Sequence, residues 1–156
     1  MDEFKALEKI IPAWLNAVFL LVALIGFADA TYLTVAYYSG LELICGLASA
    51  CNAVTTSAYS RIGSIPVALL GSLFYLSMII LSLAYIDTKS IVIARIRSWT
   101  TCIGFGASFV FVYLQLFVIG IICTYCMVSA GTSTLLFILG VYSFFQMKRK
   151  DKPVRN

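Results

Sequence analysis

Five cysteines carry the reactive chemistry this chain has to offer: Cys45, Cys51, Cys102, Cys123 and Cys126. There is no histidine. That excludes Cys–His nucleophiles, histidine-ligated haem, histidine zinc sites and histidine general bases in one step. Two cysteines form a Cys-x-x-Cys in "GIICTYCMVS", where Cys123 and Cys126 are spaced to share one face of a helix. Cys45 and Cys51 form a wider Cys-x5-Cys in "LICGLASACN". Two such pairs are compatible with a dithiol relay, an all-thiolate zinc site, a set of bracing disulfides, or packing alone. The wide pair lacks the usual short zinc-ligand spacing, so no metal is expected.

The elements that position these sulfurs follow from composition. Hydrophobic residues make up 62% of the 156 residues and charged residues only 12%. A soluble domain has about a quarter charged, so the chain reads as a membrane protein. A spanning helix needs roughly 20 mostly apolar residues. Four stretches qualify, about Ala13–Tyr38, Ile65–Ile86, Trp99–Ile122 and Tyr125–Met147. The first is too long for a signal peptide and follows acidic residues, so it is expected to be retained. The expectation is an all-α integral membrane four-helix bundle, residues 1–156 forming one membrane domain, with an outer loop over 39–64 and a basic tail over 148–156.

Orientation follows from the basic residues. Lys5, Lys9, Lys89, Arg95, Arg97, Lys148, Arg149, Lys150, Lys152 and Arg155 fall on one side, and Arg61 alone falls on the other. Both termini are therefore expected in the cytoplasm of a multi-pass protein of the cell (inner) membrane. The net charge of +4 is read as this topology signal and not as nucleic-acid binding; lipid is the partner it implies. Cys45, Cys51, Cys123 and Cys126 then share the extracytoplasmic face, the side where disulfides form. Cys102 lies at the other end of the third span, roughly 30 Å from Cys123 at about 1.5 Å per residue.

The outer loop is too long for a simple connection and is apolar. It reads as a cap on the bundle mouth, with a short amphipathic helix in "CNAVTTSAYS", Asn52 as its N-cap and Val54 facing inward. "GSIP" restarts the chain, with Ser64 near the cap and Pro66 in the first turn of the second span. Cys123 and Cys126 stand at the start of the fourth helix, where unpaired amides and the helix dipole favour a thiolate while burial opposes it. One activated sulfur is expected, not two. A relay needs a terminal electron acceptor, and the chain has neither a haem ligand set nor a nucleotide-binding motif. A quinone reaching the mouth through the lipid fits as co-substrate.

The four spans, the Cys-x5-Cys loop pair, Ser57 six residues after Cys51, "GSIPVALLG", and "CTYC" followed by Ser129 together resemble the vitamin K epoxide reductase family, in its bacterial and archaeal members. The resemblance covers about Ala13 to Met147. It implies a membrane thiol oxidase that reoxidises an extracytoplasmic thioredoxin-like (DsbA-like) protein and reduces a quinone of the menaquinone or ubiquinone type. By the family motif Cys45 forms the mixed disulfide with the partner, Cys51 shuttles between Cys45 and Cys123, and Cys126 lies nearest the quinone. Ser57 supports the site. Many bacterial members carry a fused thioredoxin-like domain, so a separate partner protein is expected here. The vertebrate enzymes have a tyrosine four residues after the pair, where this chain has Ala130, which favours quinone reduction over epoxide reduction. DsbB-type oxidases share the logic with the order of the pairs reversed.

Three further residues carry readings. Asp29, within the first span, is either a proton or hydrogen-bond partner near the quinone or a tie to a neighbouring helix. Ser129 sits behind the pair as a supporting residue, and Gln115 reads as glue between helices. The alternatives in function are a vitamin K epoxide or quinone reductase proper, and a non-enzymatic four-span protein braced by disulfides.

Overall fold

The computed structural model describes residues 11–40, 54 and 57–150. Cys45 and Cys51 lie outside the described residues, as does most of the expected loop helix.

Among the described residues there are four long helices: α1 (Ala13–Ser39), α2 (Val67–Thr88), α3 (Ile91–Tyr113) and α4 (Thr124–Lys150). All four are long and apolar enough to cross a membrane. In the most apolar window of each, only 11–33% of residues are buried. A helix bundle in water hides its apolar stripe; here Leu21, Leu24, Ile80, Leu83, Phe109 and Phe117 point outward. Such a surface is stable only in lipid, where the helical backbone satisfies its own polar groups.

The helices close into a ring, with α1 against α2 and α4, and α3 against α4 and α2. Small residues permit close approach. A Cβ on Gly26 would land within the Tyr75 ring, and one on Gly104 within the Phe74 ring. The core is layered along the bundle. At one end Ile11, Leu15, Tyr85, Ala94 and Met147 pack together. Phe19, Ala23, Ala30, Tyr75, Met78 and Leu136 fill the middle. Leu33, Ala36, Val54 and Cys123 cluster at the other end, the cysteine end.

Several boundaries differ from the sequence reading. The second span begins at Val67, because Ile65 and Pro66 form strand β2, paired antiparallel with β1 (Arg61–Ile62). Gly63, at φ +64°, and Ser64 make the two-residue turn of this hairpin. Ser64 thus turns a hairpin rather than capping a helix, and Pro66 immediately precedes α2 instead of lying in its first turn. The described part of the expected loop helix ends in one 3-10 turn, Ala58–Ser60.

The larger correction concerns α3, which starts at Ile91 and not near Trp99. Lys89 adopts a left-handed conformation (φ +50°) and donates its N–H to the Tyr85 carbonyl at 2.9 Å, ending α2 so that α3 follows almost at once. Arg95 and Arg97 are therefore helical and not loop residues. Arg95 is exposed, whereas Arg97 is 0% exposed inside the bundle. Its Nη1 donates to Asn16 Oδ1 and lies 3.5 Å from Ser82 Oγ. The guanidinium sits over the rings of Phe19 and Tyr85, 4.3 and 5.3 Å from their centroids. Two ring faces and an amide thus take the place of a carboxylate. The early start of α3 also leaves Cys102 in the interior of that helix, exposed on its outward side, and not at a helix end.

Candidate active site

The Cys-x-x-Cys sits where α3 gives way to α4. The α-helical hydrogen bonding of α3 passes into a π-helical stretch, Leu114–Ile119, which Gly120 ends at φ +70°. Residues 121–123 are non-helical, and α4 starts at Thr124. The joint is thus longer than the two residues expected from the sequence. Cys123 stands directly ahead of α4, and its carbonyl accepts the first helical bond, from the Met127 N–H at 3.0 Å. That is the N-cap position, normally held by a side chain whose oxygen accepts from the first-turn amides.

Sulfur takes that part here. The Cys126 thiol hydrogen-bonds to the Cys123 sulfur, and the backbone N–H groups of Tyr125 and Cys126 donate to it as well. The Cys126 contact is the largest influence, and together they hold the Cys123 thiol below its ordinary value of 9.0, at about 7. Burial and the nearby Asp29 carboxylate act in the opposite direction and are outweighed. Of the two sulfurs, Cys123 is the one these first-turn amides support.

The two sulfurs face different surroundings. Cys123 is 0% exposed and packs with Leu33, Ala36 and Val54, the last of these from the central loop. Cys126 lies in the wall of a cavity of about 390 Å³ between the helices. Apolar side chains from all four helices form most of that wall, including Leu33, Leu70, Phe74, Ile103 and Phe111. Ser57, Tyr59, Ser60, Ile62 and Pro66 complete it at the cysteine end. Pockets of 300–1,000 Å³ with few polar groups suit flat organic ligands.

Of the other residues singled out in the sequence, Ser57 and Ser129 line this cavity and Asp29 does not. The Ser57 hydroxyl donates to the Val54 carbonyl at 2.7 Å, so it shapes the loop over the cavity. The Ser129 carbonyl accepts from the Tyr75 hydroxyl at 2.8 Å, and Tyr75 is also 2.7 Å from Thr132 Oγ1. Tyr75 thereby ties α2 to α4 one turn behind Cys126. Asp29 is half-buried, and its Oδ2 finds no hydrogen-bond partner. It acts on the pair by charge, as its effect on Cys123 shows.

Gln115 is the residue whose part in the site the sequence did not reveal. It is the buried residue of the π-helical stretch, 3% exposed, and its Oε1 accepts the Cys123 N–H at 3.0 Å. It joins α3 to the cysteine joint rather than gluing two helices side by side. A single polar residue in "LQLFVI" was the available signal, but nothing local says which way it points.

The family model described as "Vitamin K epoxide reductase family" matches residues 17–141. The chain belongs to the vitamin K epoxide reductase family. The match takes in α2 and α3 whole, most of α1 and α4, the cavity-lining residues and both Cys123 and Cys126. As a member of that family the chain is a multi-pass membrane redox enzyme. No curated protein matches the chain.

Proposed function

We propose that this chain is a membrane thiol oxidase that takes electrons from an extracytoplasmic thioredoxin-like protein and delivers them to a quinone of the menaquinone or ubiquinone type. The observation that carries this reading is the division of surroundings at the pair. Cys126 lines an apolar cavity of about 390 Å³, while Cys123 does not line it and is buried against Leu33, Ala36 and Val54. One sulfur therefore borders a site fit for a flat lipid-soluble molecule, and the other packs against Val54, three residues after Cys51 in the chain.

The relay balances as follows. A partner thiolate attacks Cys45; the Cys45–Cys51 bond breaks, a mixed disulfide forms, and Cys51 leaves as a thiolate. Cys51 attacks Cys123, breaking the Cys123–Cys126 bond and releasing Cys126. The partner's second thiol closes its own disulfide and frees Cys45. Cys45 then attacks Cys51, restoring the loop disulfide and releasing Cys123. The thiolate at Cys123 is the better leaving group because its charge is already supported by the helix amides and the Cys126 thiol. A bound quinone accepts the two electrons and two protons of the Cys123–Cys126 dithiol, and the pair returns to its disulfide. The sum is partner dithiol plus quinone giving partner disulfide plus hydroquinone. Ser57 and Ser129 shape the cavity wall around Cys126, and Asp29 sets the local charge. Ala130 lies in the same wall and offers no hydroxyl there, which favours quinone reduction over epoxide chemistry.

The reading places this end of the bundle outside the cytoplasm, with the termini inside. The deciding experiment is quinone reduction by purified protein in lipid discs with a reduced thioredoxin-like dithiol, each cysteine replaced in turn. Cys126→Ala should abolish turnover, Cys51→Ala should abolish it too because no loop disulfide is left for the partner thiolate to attack, and Cys102→Ser should leave the rate unchanged. Fixed pairing of Cys45 with Cys51 and Cys123 with Cys126, with no hydroquinone formed, would instead establish a braced non-enzymatic protein.

A further inference from the structure

We propose that Gln115 links the occupant of the cavity to the cysteine joint, its Oε1 accepting the Cys123 N–H while its amide N–H groups donate to a carbonyl oxygen of the bound quinone. The inference rests on the quinone reading above and adds the residue that orients the ring. A backbone N–H can only donate, so the group facing Cys123 at 3.0 Å must be the amide oxygen. The NH₂ of the same planar amide then faces away from Cys123, and Gln115 is part of the cavity wall.

Most other polar groups of that wall are occupied, and Tyr37 adds a half-buried hydroxyl from α1. Tyr75 donates to the Ser129 carbonyl, and Ser133 Oγ is 2.6 Å from Ser108 Oγ. Ser57 and Ser60 bond to carbonyls of their own loop, and Tyr59 is exposed. Gln115 is thus a buried amide with its acceptor engaged and its donors turned from that engagement. The NH₂ can only donate, and a quinone carbonyl is an acceptor of the right kind on an otherwise apolar body. The backbone supports this orientation. An α-helix that becomes π-helical re-aims its side chains, and in Leu114–Ile119 the outcome is that Leu116, Phe117 and Val118 are exposed while Gln115 is buried. The same amide therefore senses the ligand and holds the N-cap of α4, three residues before Cys126.

The test compares two ligands on three proteins, with both cysteine pairs oxidised so that binding is read without turnover. The ligands are a radiolabelled naphthoquinone and the matching naphthalene, which has the same rings and no carbonyl. The proteins are the parent, Gln115→Met and Gln115→Glu. Gln115→Met keeps the side-chain length and removes both polar functions. It should weaken naphthoquinone binding at least about fivefold and leave naphthalene binding unchanged. Gln115→Glu, ionised, keeps the acceptor for Cys123 and lacks the donor, so it should show the same selective loss. It serves as the deciding variant where Gln115→Met does not fold. Equal losses for both ligands would make Gln115 a brace of the joint only and overturn the proposal, as would unchanged naphthoquinone binding in both variants. A parent protein that binds neither ligand overturns the quinone reading itself, which keeps the two failures apart.

Discussion

The clearest physical consequence of the site is a single early-ionising sulfur. With Cys45, Cys51 and Cys102 replaced by serine, only Cys123 and Cys126 remain to titrate. The Cys123 thiol lies at about 7 against an ordinary 9.0. At pH 7 about half of it is thiolate, compared with about one in a hundred for an unperturbed thiol, a gain of roughly fiftyfold in the attacking or leaving species. Acidic thiolates are intrinsically weaker nucleophiles, with a Brønsted slope of about 0.4–0.5, so two units give back roughly six- to tenfold. The net advantage at pH 7 is therefore about five- to eightfold. The thiolate is the deprotonated form, so it appears as pH rises through about 7. The assay is the ultraviolet absorbance of the thiolate as a function of pH, which does not require a reagent to reach a buried sulfur. One proton should be lost near pH 7. Cys126→Ser keeps a donor and should leave the midpoint near 7; Cys126→Ala removes the largest contributor and should move it toward 9. An unchanged midpoint in Cys126→Ala would refute the reasoning, as would a parent midpoint near 9.

Two further predictions concern the bundle itself. Asn16→Leu should cost about 3–5 kcal/mol, because it leaves the buried Arg97 charge without its amide, whereas the double variant Asn16→Leu/Arg97→Met should be much closer to neutral because it removes the charge together with the amide; thermal unfolding in detergent measures both, and equal losses would contradict this account. Gly26→Ala places a methyl within the Tyr75 ring and should lower stability by about 1–3 kcal/mol, with much of the loss recovered when Tyr75 is also shortened to Leu, as a melting comparison of the single and double variants will show.

Much of the architecture is legible in the amino-acid sequence because crossing a membrane is a matter of length and apolar content, both additive along the chain. The four spans, the grouping of Cys123 and Cys126 at one end and the separation of Cys102 from them follow from counting residues. Facing is another matter. In a soluble helix the polar residues mark the outer side, but here lipid and bundle interior are both apolar, so Leu116 and Leu33 look alike in sequence though one is exposed and the other buried. Arg97 shows the same limit from the other side. Its charge argued for a loop, and only two aromatic faces and Asn16, brought from α1 and α2, make its burial in α3 sustainable. The π-helical turn that aims Gln115 at the Cys123 amide is likewise a product of how α3 meets α4. The sequence by itself determined that two thiols would stand at the start of a membrane helix. Tertiary structure decided which of them opens onto the cavity, because that wall is contributed by residues of all four helices, distant in the chain.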